Sequence, residues 1–457
     1  MKNKTKLLAV SGALIASMTA FEAQAKVSAE QAAKLGVTGT ELTPSGAIRA
    51  GNADGTIPAW TGGLPQLDIA KGSWPANPFA DDKPLFTITS ANYKQYADKL
   101  SPGQQEMFAL YSDYKMNIYP TRRSASNHPH VHQAAIENAS NAELTESGND
   151  FRGAKIAWAF PIPNNGAEAV LNNATKVARA GVQRWSNTTV VTSSGKHQTS
   201  KIIEELLSGW SQEGNTTSTF EGKGDVFYFR QTVRAPAKKA GAVILILGVM
   251  HNDQGKRKIW SYNPGQRRVR RAPQVQYDNP KTGGDGLATS DQLGMYNGNI
   301  DRYSWKLHGR KEMYIPYNSY GLHNGDTTID QIIQKGHINQ DMARYELHRV
   351  WHVEGVLRSG TSHVYKKRVF FMDEDTWQIA VMDHYDKRDQ LWRMSEGHLY
   401  NSTDILVTNT TAEVHNDLQS GRYLVVGLDN EDTPDDHSFR SAPSNYTPAA
   451  LRASGIR

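Results

Sequence analysis

The chain has 457 residues, a formal charge of +5, 38% hydrophobic residues and no cysteine, with a mean hydropathy of −0.59. Disulfides, thiolate metal centres and cysteine nucleophiles are therefore excluded, and a charge this small over such a length does not call for a nucleic-acid partner. The length allows one large domain or two ordinary ones.

At the amino terminus Lys2, Lys4 and Lys6 precede an uncharged, mainly apolar stretch from Leu7 to Ala16, and Ala23-Gln24-Ala25 follows as a small-x-small site. This pattern predicts a cleaved signal peptide over 1–25 and export to the periplasm. The stretch falls well short of the ~20 residues that cross a bilayer. Further on, the longest apolar run, Ala242 to Met250, reads as a buried strand.

Residues 26–88 are rich in Gly, Pro, Thr and Ala, as in Thr43-Pro44-Ser45-Gly46, and predict an extended arm. Residues 89–181 read as a helical segment packed on a sheet. Ser101-Pro102-Gly103-Gln104 offers an N-cap, a first-turn proline and a capping box. Met107, Leu110, Tyr111 and Tyr114 then recur at helical spacing within 89–118. A second helix is predicted from Ala167 to Ala180, with Val170, Leu171, Ala174 and Val177 inward and Gly181 as its stop.

From Val182 the period changes to two, and 182–430 predicts an antiparallel β domain. Asp225–Arg234, Ala242–His251, Arg257–Tyr262 and Arg267–Arg271 are short runs between turn residues. Asn279 to Tyr320 reads as a long loop or flap over a sheet, and Asp326 to Gln334 as a short helix. The clearest strand is Arg344 to Arg358, with Tyr345, Leu347, Trp351, Val353 and Leu357 on one face and Glu346, His348, His352 and Glu354 on the other. Val364–Met372, Trp377–Tyr385, Leu391–Tyr400 and Arg422–Leu428 follow, before a polar tail over 431–457. The fold class is mainly β: a large curved antiparallel sheet or incomplete barrel with helices on its concave face.

Three groups of residues carry possible chemistry. His128, His130 and His132 resemble a metal cluster, but they lie among helix-forming residues, where i and i+2 face apart, and no metal is expected there. Asp373, Glu374 and Asp375 read as an exposed hairpin tip. Arg267, Arg268, Arg270 and Arg271 form a basic hairpin suited to an anionic headgroup or a partner's acidic surface, or simply to a charged sheet edge. Nucleotide-binding, nucleophile-elbow and zinc-protease motifs are missing, so no enzyme and no cofactor is expected, although a spatial triad leaves no sequence signature.

Several strings together carry a resemblance. They are Glu41-Leu42-Thr43-Pro44-Ser45-Gly46-Ala47, the stretch from Ala50 to Gly63, the stretch from Trp260 to Pro273, and Asp383-His384-Tyr385-Asp386. The chain resembles a family of uncharacterised periplasmic proteins of Gram-negative bacteria, similar in fold to the lipoprotein carriers LolA and LolB. The resemblance implies an incomplete barrel with a hydrophobic cavity for acyl chains. It also implies a working link to an exporter of the resistance-nodulation-division class and to an outer-membrane protein. The expected ligand face is Tyr345, Leu347, Trp351, Val353 and Leu357. Periodicity alone leaves open whether that face lines a cavity or a filled core. The leading expectation is a carrier of a lipid or other hydrophobic molecule; an envelope hydrolase, or a periplasmic sensor or scaffold, is the alternative.

Overall fold

The computed structural model describes residues 27–454, apart from 223, 254 and 273–276. The predicted signal peptide lies outside the described residues. In chain order the strands are β1 (Phe86–Thr89), β2 (Lys115–Ile118), β3 (Glu143–Leu144), β4 (Phe151–Arg152), β5 (Gly181–Trp185), β6 (Asn187–Val191), β7 (His197–Ser208), β8 (Phe227–Ala235), β9 (Val243–Gly248), β10 (Lys258–Asn263) and β11 (Arg268–Arg271). They continue with β12 (Tyr303–Pro316), β13 (Tyr345–Leu357), β14 (Lys367–Asp373), β15 (Ile379–Tyr385), β16 (Leu391–Ser402), β17 (Val407–Asp417) and β18 (Arg422–Leu428). The helices are α1 (Ala29–Ala32), α2 (Pro102–Leu110), α3 (Pro129–Asn141), α4 (Gly166–Ala174), α5 (Ile329–Ile332) and α6 (Pro448–Ser454).

Among the described residues one 16-stranded sheet runs β1-β2-β13-β14-β15-β16-β17-β18-β6-β7-β8-β9-β10-β11, with β12 beside β13 and β5 beside β7. All of its pairings are antiparallel except β2 with β13. The two ends never meet, so the sheet stays open. Strand β7 is the bend: its first residues pair with β6, and the rest pair with β5 and β8.

The helices follow their local chemistry. Ser101 and Gln104 close a reciprocal capping box on α2, with Pro102 in the first turn, which satisfies otherwise orphaned amides. Gly103 lies so close to the sheet that a Cβ there would stand 2.3 Å from Asp383 and 2.5 Å from Met394. The helical reading of 89–118 is too generous: Tyr93–Lys99 is a 3-10 segment, and Lys115–Ile118 is strand β2. Helix α4 is capped by Asn165 and packs on β12 and β13. It stops at Ala174 rather than 180, where the Thr175 hydroxyl donates back to the Leu171 carbonyl.

Two further expectations need correction. The supposed flap over 279–320 holds strand β12, which pairs along the whole of β13. A register shift between Leu307 and Gly309 switches which side chains face inward, so the period of two is broken and the strand is hidden. The first half of the polar face of β13 is also not wet, because Glu346 and His348 are as buried as Tyr345 and Val353, while His352 and Glu354 are half-buried. Here the sheet is covered on both faces.

Candidate functional site

Beside the end of α4 lies a cavity of about 320 Å³. Val170 and Ala174 of α4 form its roof. Leu206 of β7, Phe227 and Phe229 of β8, and Val249 and Met250 after β9 form its floor, with Trp210, Tyr296 and Ile300 closing the sides. Alternation on β8 sends Phe227 and Phe229 to the same face, where their rings stack 6.5 Å apart. The sequence carried this signal in the two phenylalanines two apart. It carried none for the wall made by residues 293–300, which is irregular chain.

The lining includes three cationic residues, Lys176, Arg184 and Arg257, and no acidic one among the described residues. Arg184 is neutralised by Glu204, with contacts of 3.0 and 2.9 Å. Arg257 donates to the Asn297 carbonyl at 2.9 Å. Lys176 donates to Asn173 Oδ1 at 3.1 Å and to Gln378 Oε1 at 2.8 Å, both uncharged. Half-buried in surface yet enclosed by protein, as a cavity wall is, its ammonium is lowered by burial to about 8, with Glu413 pulling the other way.

The expected ligand face lies elsewhere. Tyr345 and Leu347 belong to the core under α2; Trp351 and Val353 belong to the core under α4; Leu357 is half-buried at the strand end. None of the five lines the cavity. Helices and loops fill that part of the concave face, whereas the open space lies along β7–β9.

The acidic triplet 373–375 is not an exposed tip. Asp373 is 0% exposed, Glu374 2% and Asp375 5%, because the amino-terminal arm folds over them. Arg123 reaches Asp375 with bonds of 2.6 and 3.0 Å. Arg349 contacts Glu374 at 3.2 Å and Arg310 contacts it at 3.3 Å. Burial, then the charge of Asp375, raises Asp373 to about 7. His348, Asp373 and Asp375 converge closely enough to hold an ion, yet both oxygens of Asp375 are taken by Arg123. His128 caps α3 and stacks on His130 at 5.6 Å, while the His132 ring meets the edge of Trp60. Arg267, Arg268, Arg270 and Arg271 are exposed on and beside β11 at the end of the strand order.

One more polar cluster lies beneath residues 277–302. Ser395 Oγ stands 2.8 Å from His415 Nδ1 and 3.1 Å from His384 Nε2, with Glu413 3.7 Å from the far side of His415. The residue types match a serine–histidine–acid grouping. However, Gln292 covers both imidazoles, Glu413 is bound by the amides of Gly294 and Met295, and Ser395 is 0% exposed. The cavity does not reach it.

The fold defines an open-sheet β protein with a largely apolar cavity and with no helix among the described residues long and apolar enough to cross a membrane. The chain belongs to the family described as protein of unknown function (DUF1329), whose model matches residues 87–452. It is 46% identical to the uncharacterized protein PA3922 of Pseudomonas aeruginosa, over 99% of both chains. Among solved structures it is similar to a putative outer membrane lipoprotein-sorting protein domain from Vibrio parahaemolyticus, with TM-score 0.43, 13% identity, and coverage of 63% of this chain and 98% of that one. A DUF1329 family protein from Desulfovibrio piger gives 0.42 and 14%, covering 62% and 95%. A LolA superfamily protein from Nitrosomonas europaea gives 0.36 and 14%, covering 62% and 97%.

Proposed function

We propose that the protein is a periplasmic carrier that holds a hydrophobic molecule in the cavity between α4 and β7–β9. The observation that carries this reading is the apolar lining, from Val170 to Met250, around a volume of about 320 Å³. At about 30 Å³ per water-sized group, that is room for about ten methylene groups. Each methylene taken from water contributes about 0.8 kcal/mol, so a buried chain gains about 8 kcal/mol before the cost of immobilising it. The periplasm as compartment is supported by Ala23-Gln24-Ala25. The partners, an exporter of the resistance-nodulation-division class and an outer-membrane protein, follow from the resemblance.

The test uses Ala174→Trp. Ala174 is exposed and faces the cavity, so a larger side chain fills the hollow without overpacking a core. The expected result is saturable uptake of a fluorescent apolar probe by the wild-type protein, displaced by dodecanol, and its loss in a variant with unchanged melting temperature. Probe uptake unaffected by the tryptophan would sink the proposal.

A further inference from the structure

We propose that the cavity takes a single-chain amphiphile with an anionic head, and that the head sits on Lys176. The inference rests on the carrier reading and narrows it to a ligand class.

Lys176 is a cation on the wall that no carboxylate contacts among the described residues: Glu413, itself held by the amides of Gly294 and Met295, attracts it only from beyond hydrogen-bond range. Its two bonds go to amide oxygens. Each of those amides is fixed by its other end. Asn173 Nδ2 donates to the Tyr296 carbonyl at 2.7 Å, and Gln378 Nε2 donates to the Thr408 carbonyl at 2.9 Å. The ammonium is therefore held in one place by oriented dipoles, with a third N–H left to give. The neighbouring wall residue is Gly294, where an added Cβ would stand in ordinary contact with Nζ, at 3.7 Å, so a carbon-sized group fits beside the charge without displacing it.

A cation enclosed by protein without a contacting counter-ion is costly, and burial lowers Lys176 to about 8 despite the attraction of Glu413. A carboxylate or phosphate entering from the cavity removes that cost by a charge-assisted hydrogen bond. With three cationic residues on the wall and no acidic one among the described residues, a cationic head is repelled, and a neutral hydroxyl head accepts a hydrogen bond from Lys176 without offsetting its charge. The apolar floor of Phe227 and Phe229 then takes the chain, whose length the volume limits to about ten methylene groups at about 30 Å³ each.

The experiment displaces a bound fluorescent apolar probe with four ligands whose alkyl chains differ by at most one carbon: laurate, dodecyl phosphate, dodecanol and dodecyltrimethylammonium. In the wild type, laurate or dodecyl phosphate should bind about tenfold or more tighter than dodecanol, because a hydrogen bond between two ions is worth more than one from the ammonium to a neutral hydroxyl. The ammonium compound should bind weakest. Lys176→Gln should bring both anions down to the dodecanol level, and Lys176→Arg should keep the preference, with circular dichroism confirming that both fold. Laurate against dodecyl phosphate tells a carboxylate head from a phosphate head. Equal affinity for anionic and neutral ligands in the wild type overturns the inference and leaves the carrier intact, and reading that outcome needs no variant. Failure of every ligand to displace the probe overturns both.

Discussion

Arg123 holds Asp375 with two hydrogen bonds, of 2.6 and 3.0 Å, while the two side chains are each 2% exposed. The same guanidinium donates to the carbonyls of Ile48 and Arg49. Arg349 donates to Ala50 and Arg310 to Gly46, and both also contact Glu374. Three arginines thus clasp the amino-terminal arm to the hairpin between β14 and β15. Planar guanidinium suits this role because it can bind a carboxylate and several carbonyls at once.

Arg123→Met should therefore destabilise strongly, because it leaves a buried carboxylate without its partner, a loss of about 3–5 kcal/mol. Urea unfolding would measure it, and limited proteolysis should show new cleavage between residues 44 and 60. A loss under 1 kcal/mol, the usual scale of an exposed ion pair, would refute the clasp.

Glu396 gives a pH prediction. It accepts from Gln104 at 3.0 Å and lies 3.0 Å from the Tyr345 hydroxyl, which is also 3.0 Å from Gln340 Oε1. A hydroxyl has one proton, so a protonated Glu396 completes the chain by donating to Tyr345, which donates to Gln340. Burial raises Glu396 to about 7, against the bonds it accepts. The folded value lies above the unfolded one, so this group's contribution is fully present below about pH 4.5 and is lost as pH rises through 7. Glu396→Gln keeps every bond and never ionises. It should be near neutral at pH 5 and more stable than wild type above pH 8, by on the order of 2–3 kcal/mol. Parallel stability curves for the two proteins from pH 5 to 8.5 would contradict it.

Ser395→Ala separates buried architecture from chemistry. Removing the hydroxyl leaves imidazole nitrogens of His384 and His415 without that partner, at about 1–3 kcal/mol. Melting should fall while probe binding persists, because Ser395 does not line the cavity. Ester turnover by the wild type that vanishes in this variant would instead favour a hydrolase.

Much of the β architecture was legible because its signals are local. Leu391–Tyr400 and Arg422–Leu428 stand within two residues of β16 and β18, since alternation and turn residues mark them directly. Strand β17 escaped, because Thr408, Asn409, Thr410 and Thr411 are polar throughout and lie buried or half-buried under other chain. The cavity was illegible for a related reason. Its walls come from α4, β7–β9 and irregular residues 293–300, which only tertiary packing brings together. The same holds for Asp373, Glu374 and Asp375: adjacent acids look like a wet turn until an arm 320 or more residues earlier covers them, as in Ser45 Oγ donating to the Glu374 carbonyl.

The exposed arginines of the terminal hairpin supply the last prediction. Arg268 lies opposite Asn263, Arg270 opposite Ser261 and Arg271 opposite Trp260, so these arginines face no acidic partner across the strand pair. Strand β11 ends the strand order, and an edge of this kind is either protected from further pairing by charge or used as a contact. Each basic residue near an anionic membrane contributes about 1 kcal/mol, and such attraction fades within a Debye length of about 8 Å at physiological salt. Replacing Arg268, Arg270 and Arg271 together by Ser should leave melting and cavity binding unchanged. Association with vesicles containing phosphatidylglycerol should fall by about a hundredfold, the equivalent of about 3 kcal/mol, and the remaining binding should be less sensitive to salt. If the arginines serve only to keep the edge soluble, vesicle association will be unchanged and the triple variant will aggregate as its concentration rises. Cosedimentation and light scattering on the same samples distinguish the two outcomes.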